Sequence, residues 1–350
     1  MLFGTKKVLG VDIGTSSIKI AELDVSRKGA KLNRFTMVQT PDSSVAGGEI
    51  IDTQPVVSAL AHALKMSKSS RKNASTGLWG SSVIVKKISI PKMEEKLIAE
   101  QVRWEAEQYI PFDLSEVNLD YAKLKSPHSP KDIMDILIVA ARHDQIFKLV
   151  EIVETAGLNC THLDVNGFAL ANTYMANYGP TEGEMVALLN VGAFYTNFVV
   201  LHETDIIFCR DIPVGGAIYS ADIQKGMSLS NLEAESMKLS IGAGQGVPED
   251  VVSIIESTHE IFCDEILGSF DFFINTTPGA KISRCYITGG GSRAHGLLAY
   301  LGKTMNVPCD MLNPFINITS NPKQFSITYL DQIKEFASVA IGLGLRAVGD

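Results

Sequence analysis

The first apolar run of the chain, Val8 to Ile13, carries a single acid, Asp12, between Val11 and Ile13. After the turn Gly14 to Ser17, Ile18 and Ile20 alternate with Lys19, the period of two expected of a strand with one covered face. Residues 185–213 repeat this plan: an apolar strand, Asn190, Val191 and Gly192, a turn, then Phe198 and Val200 alternating with Asn197. Residues 7–40 and 185–213 therefore each predict an antiparallel three-stranded meander, with Asp12 aligned to Asn190 and Gly14 to Gly192. One such hairpin is common. Two, half a chain apart and each running into a helical pattern, indicate an internal duplication. Asp52-Thr53-Gln54-Pro55 supplies the start of the first of these helices, and Gly215-Gly216 opens a turn into the second.

Between the repeats, residues 84–160 predict a separate unit: a helix Glu94 to Tyr109, strands Leu119 to Leu124 and Ile133 to Ala141, and a second helix Asp144 to Ala156. Leu97, Ile98, Val102, Ala106, Tyr109 and Ile110 form one stripe at helical spacing, which predicts core packing for most of them. After the second repeat, a helix Leu229 to Leu239 carries Glu235 and Lys238 on one face. A strand Cys285 to Thr288 then meets Gly289-Gly290-Gly291-Ser292 and another helix.

Composition narrows the function. The 350 residues are 45% hydrophobic with a net charge of −8, which supports a large core and argues against a broad nucleic-acid footprint. The five cysteines are odd in number and none has metal-ligand spacing, so buried, inert thiols in a reducing compartment are expected. Asp12 interrupts the first apolar run, which argues against a signal peptide. No stretch reaches the length of about 18 uncharged apolar residues that a membrane helix needs. The expectation is a cytoplasmic protein that meets a membrane only through a partner, without inserting.

A tight glycine turn exposes successive backbone N–H groups that can cradle an anion. Gly14, Thr15, Ser16 and Ser17 add hydroxyls, and Lys19 adds charge. Asp12 suits a hydrated Mg²⁺, which prefers one or two carboxylates plus water; a mere hairpin-capping role weighs about equally on this turn alone. A strand–glycine–helix junction at Gly289 to Ser292 presents backbone and a helix start to a ligand, although no P-loop lysine follows.

With these motifs in order, the chain resembles the actin-like ATPase superfamily. The resemblance rests on VDIGTSS (Val11 to Ser17) and LNVGAFYT (Leu189 to Thr196) as phosphate loops and ITGGGSRAHG (Ile287 to Gly296) as adenosine motif. HLDVNGFALANTY (His162 to Tyr174) and EFASVAIGLGLRA (Glu335 to Ala347) would be the connecting helices. Within it, EQVRWEAEQYIPFDLSEVNLDY (Glu100 to Tyr121) and the stop at Asp350, shortly after the second connecting helix, resemble the PilM family of type IV pilus assembly. The resemblance implies an α/β, actin-like (ribonuclease H-like) fold of two related halves around a nucleotide cleft, with an FtsA-type inserted subdomain. It divides the chain into 1–83 with 161–182 and 326–350, the inserted unit 84–160, 183–220 with 284–325, and 221–283. It implies ATP or ADP with Mg²⁺, held by Asp12 (through water), Gly14, Thr15, Ser16, Ser17, Lys19, Asn190, Gly192, Gly215, Gly216, Gly289, Gly290, Gly291 and Ser292. Glu235 and Lys238 would meet the ribose and purine. Its implied partner is the N-terminal cytoplasmic peptide of a PilN-like inner-membrane protein, docking on a rim near Tyr109, Ile110, Pro111 and Phe112. Pilus motor or platform proteins and self-association are further implied contacts.

Two departures from the superfamily pattern matter. Asn190 stands where the second loop usually has aspartate, and Asn166 stands near where an acid or glutamine positions the attacking water. Neither can act as a base, so both are weakened catalytic positions beside Asp12, and binding with slow or absent hydrolysis is expected. Bulky Phe194 and Tyr195 replace small donors in the second loop. The alternatives are an FtsA-like division protein that polymerises, a small-molecule kinase with Asp164 as its one nearby acid (better read as a helix cap), and a degenerate fold that binds no nucleotide.

Overall fold

The computed structural model describes residues 7–125, 131–242 and 246–346; the expected endpoints Ala347 and Asp350 lie outside them. The first meander is β1 (Leu9–Ile13), β2 (Ser17–Ser26) and β3 (Gly29–Gln39). A short ribbon, β4 (Val45–Ala46) and β5 (Glu49–Ile50), leads into α1 (Thr53–Ser67). The Asp52 carboxylate accepts from the Gln54 N–H at 3.2 Å and so caps the helix. Val56, Leu60 and Ala63 recur at helical spacing and are buried against the sheet.

The chain continues through β6 (Asn73–Leu78) to β7 (Val83–Pro91), α2 (Glu95–Tyr109), β8 (Val117–Lys123), β9 (Ile133–Arg142) and α3 (His143–Thr155). It returns by β10 (Asn159–Val165) into α4 (Asn166–Tyr178). The second meander is β11 (Met185–Val191), β12 (Thr196–His202) and β13 (Asp205–Ile212). Then come α5 (Ala217–Met227), α6 (Asn231–Gly242), α7 (Glu249–Thr276), β14 (Ile282–Thr288), α8 (Leu297–Met305), β15 (Cys309–Met311), β16 (Ile318–Ser320) and α9 (Ile327–Gly344).

Two sheets carry the duplication. One has the order β10-β6-β1-β2-β3-β16, the other β13-β12-β11-β14-β15. In each, an antiparallel meander is extended by parallel strands on the side of its first strand. β1 is buried throughout, as expected of a central strand covered on both faces. α4 and α9 cross between the sheets at a distance that excludes a side chain: a Cβ on Gly342 would lie 1.7 Å from the Ala169 carbonyl oxygen. The Thr173 hydroxyl donates to the Ser338 carbonyl at 2.6 Å and ties the crossing. A distant segment closes the first sheet, because β16 pairs with β3 and the Thr319 hydroxyl reaches the Ala30 carbonyl 289 residues away.

The third sheet, β7-β9-β8, lies between these halves with α2 on one face. Val83, Val85 and Val139 on this sheet pack against the α4 and β12 cluster of the second half. The expected inserted unit 84–160 includes α3, which also packs on the first half. Leu149 and Ile152 of α3 are buried with α1 and β1. α4 begins at Asn166, and His162 to Val165 are strand, paired in parallel with β6. Asp164 is not the helix cap. It is buried at the end of β10 and accepts from Arg346 Nε at 2.7 Å. No helix among the described residues is long and apolar enough to cross a membrane.

Candidate functional site

A cleft of about 730 Å³ opens between the two sheets and beside α6. Its floor is set by three turns: Gly14 to Ser17 after β1, Gly192 to Tyr195 after β11, and Gly289 to Gly291 after β14. The hairpins have the same register. Asp12 lies opposite Lys19, and Asn190 lies opposite Asn197.

The side chains differ in kind. Lys19 Nζ contacts Asp12 Oδ2 at 3.0 Å and the Ser17 carbonyl at 3.1 Å, with both side chains nearly buried. In the second hairpin Asn190 Nδ2 donates to Asn197 Oδ1 at 2.7 Å, and Asn197 Nδ2 donates to Asp211 Oδ1 at 2.6 Å. The other Asp211 oxygen accepts from the Gly80 N–H at 2.6 Å. Burial pushes the Asp211 carboxyl up from its ordinary 3.8 to about 6, against the two hydrogen bonds that favour the charged form.

Of the residues proposed from sequence, Asp12, Gly14, Thr15, Ser16, Ser17, Lys19, Asn166, Asn190, Gly192, Gly216, Glu235, Lys238, Gly289, Gly290 and Gly291 line the cleft. Two lie behind its wall. A Cβ on Gly215 would meet the Ala193 backbone at 2.6 Å, so this glycine serves loop packing. Ser292 is buried, and its hydroxyl donates to the Gly289 carbonyl at 2.6 Å, bracing the turn from within. Lys238 pairs with Glu235 at 2.6 Å and also reaches the Ser220 hydroxyl (2.9 Å) and the Gly216 carbonyl (3.1 Å). It therefore ties α6 to the start of α5, which an isolated surface ion pair does not do.

Asn166 is 8% exposed at the head of α4, and its Oδ1 has no hydrogen-bond partner. A buried, unpaired carbonyl oxygen costs on the order of 1–3 kcal/mol, and this one is packed over Gly77 of β6, at a position a Cβ there would occupy. With the Asp12 carboxylate, the Lys19 ammonium and exposed turn N–H groups, the donor set fits a polyphosphate accompanied by a hydrated divalent cation. Among the described residues no group of three or more His, Cys, Asp or Glu side chains gathers into a metal cluster.

Sequence reasoning missed Trp79, whose indole donates to the Gly48 carbonyl at 2.8 Å and which lines the cleft. It also missed Asn197 and Asp211. The signal for Asn197 was available, because it follows Asn190 at the spacing by which Lys19 follows Asp12. On the inserted unit, Tyr109 is 48% exposed with Lys86 Nζ 5.2 Å from its ring centroid. Phe112 lies under the Arg142 guanidinium at 5.4 Å, and Pro111 is exposed. Ile110 does not join this rim: it is buried with Ala106, Val117 and Ala140 in the unit's own core.

Two β-meanders extended by parallel strands, crossed connecting helices and three turns around an interdomain cleft define the actin-like fold. A family model described as type IV pilus assembly protein PilM matches residues 10–348. The chain belongs to the PilM family. A solved PilM–PilN type IV pilus biogenesis complex superposes with a TM-score of 0.86 at 28% identity, covering 98% of this chain and 99% of that one. MreB5 of Spiroplasma citri bound to ADP (TM-score 0.54, 13% identity, 94% and 98% of the two chains) shares the fold. Cell division protein FtsA of Bacillus subtilis (strain 168) is 21% identical over 257 residues, 67% of this chain and 58% of that protein. FtsA of Enterococcus faecalis (strain ATCC 700802 / V583) is 21% identical over 342 residues, 84% and 76% of the two. The chain spans a little over half the length of the first of these curated relatives.

Proposed function

We propose that this protein is a nucleotide-binding scaffold of the type IV pilus assembly platform, taking ATP or ADP with Mg²⁺ in the cleft and hydrolysing ATP slowly or not at all. The observation that carries this reading is the contrast between the Asp12–Lys19 pair and the neutral Asn190–Asn197 pair at one register. The first loop has the charge to hold a cation through water and to meet phosphate. The second has neither a base nor a charge at the matching position, and Asn166 can orient a water but not deprotonate it. The Glu235–Lys238 pair on α6 would meet the ribose and purine.

The inserted unit would hold the N-terminal cytoplasmic peptide of a PilN-like membrane protein, recruiting the scaffold to the membrane face. The complex formed by its structural relative supports this. So does the geometry: β7 and β8 both end their sheet, Tyr109 lies by Lys86 of β7, and Phe112 packs in the cluster of Val117 on β8, so apolar rings stand beside strand edges as strand addition with side-chain pockets requires.

Calorimetric titration of the protein with ATP, with and without Mg²⁺, and then with a synthetic PilN N-terminal peptide, tests both halves of the proposal. Saturable Mg²⁺-dependent ATP binding and a peptide affinity that changes with nucleotide are expected. Steady-state turnover of about one per second, abolished by Asp12→Ala, would overturn the slow-hydrolysis reading.

A further inference from the structure

Asp12, Lys19 and Met37 face one another across the first meander, strand by strand. The corresponding row of the second meander is Asn190, Asn197 and Asp211. The acid has not vanished from the second half. It stands two strands further from the cleft, joined to the turn by two carboxamides at 2.7 and 2.6 Å.

A chain of this kind has a direction. A carboxylate only accepts hydrogen bonds, and both Asp211 oxygens are engaged, one by the Gly80 N–H and the other by Asn197. Asn197 must therefore turn its NH₂ toward Asp211, which turns its carbonyl toward Asn190. Asn190 must then offer its own NH₂ to Asn197. That leaves the Asn190 Oδ1 on the other side, against Gly289 on the cleft wall, where a Cβ at position 289 would come within 2.7 Å of it. Gly80 anchors the far end by donating its backbone N–H to the second Asp211 oxygen.

We propose that Asp211 is a positioning residue of the cleft: acting through Asn197, it sets the Asn190 carboxamide with its carbonyl oxygen facing the nucleotide side, as an acceptor for the water shell of the accompanying cation. This rests on the nucleotide reading given above. An amide oxygen held this way does the accepting part of what an aspartate would do, without adding a full charge.

The test uses the full chain and Mg·ATP by calorimetry, with ATP in chelator as the control. Asp211→Asn can keep the Gly80 N–H only by turning its own NH₂ toward Asn197, which breaks the chain or flips both amides and points the Asn190 NH₂ at the cleft. Affinity for Mg·ATP is expected to fall about tenfold, as for loss of an outer-shell partner, while affinity for metal-free ATP stays within about twofold. The double variant Asn190→Asp/Asp211→Asn reverses the chain with every partner satisfied, and is expected to restore Mg·ATP affinity. An Asp211→Asn protein that binds Mg·ATP like the wild type overturns the proposal. So does one that loses both affinities equally, and so does a double variant that fails to fold or to recover. A wild type that binds Mg·ATP while Asp211→Asn makes no difference sinks the relay alone; a wild type that binds no nucleotide sinks the functional reading with it.

Discussion

The two halves of this molecule place their turns with the same strand register and fill them with opposite chemistry. The first turn rests on an ion pair, Asp12 with Lys19 at 3.0 Å. The second rests on a carboxamide pair, Asn190 with Asn197 at 2.7 Å. Backbone geometry is thus shared where side-chain charge is not, because register is set by the alternation of buried apolar residues and the turn length. The residues that point from the strand ends toward the cleft are free of that constraint. One half supplies charge; the other supplies shape and hydrogen-bond direction.

The strongest way to break this comparison is to neutralise the charged half. Asp12→Asn leaves Lys19 nearly buried without its counter-charge. A loss of about 3 kcal/mol in denaturant unfolding is expected, with about a hundredfold weaker Mg·ATP binding by calorimetry. Next comes packing. In the second half the turns touch: a Cβ on Gly291 would lie 2.6 Å from a Val191 methyl and 2.8 Å from the Gly192 carbonyl oxygen. In the first half a Cβ on Gly14 would meet the movable Lys19 ammonium and the Ser17 carbonyl at 3.1 Å. Gly291→Ala is therefore expected to cost about 2 kcal/mol and Gly14→Ala less than about 1 kcal/mol, measured as unfolding midpoints. Equal losses would show that the two turns are equally open. The third test separates the halves by pH. Asp211 titrates higher in the folded protein than its ordinary 3.8, at about 6. The folded state thus holds that proton more tightly, and the resulting stability is present below pH 4 and lost as pH rises through 6. The stability of the wild type relative to Asp211→Asn should fall by about 2 kcal/mol between pH 4 and 7.

Much of the fold was legible because the meanders alternate cleanly and their turns carry glycine. The duplication could be read from Asp12 and Asn190 without any structure. What escaped were features created by distant neighbours. His162 to Val165 looks like the start of a helix, yet β6 draws it into the first sheet as a parallel strand. Asp164 looks like a cap, yet Arg346, far along the chain, makes it an ion-pair partner. Ile110 shares the helical stripe of α2, and its burial follows from that stripe rather than from the exposed turn beside it. Asp211 reads as an ordinary polar position in an alternating strand. Only the register of β13 on β12 places it behind Asn197.

The pairing of β16 with β3 has a consequence in time. The first half contains nearly all of the charged turn's residues within its opening segment, but its sheet is bordered by a strand made 289 residues later, and α9, which covers β1 and β2, follows that strand. During synthesis the edge of β3 waits unpaired while the whole second half emerges. Contacts of such separation are slow to form, and an exposed strand edge invites pairing with other chains in the meantime. The second half, whose five strands are contiguous from β11 to β15, can fold first and offer the surface on which α9 settles. The cleft would then assemble late, closed by the arrival of α9.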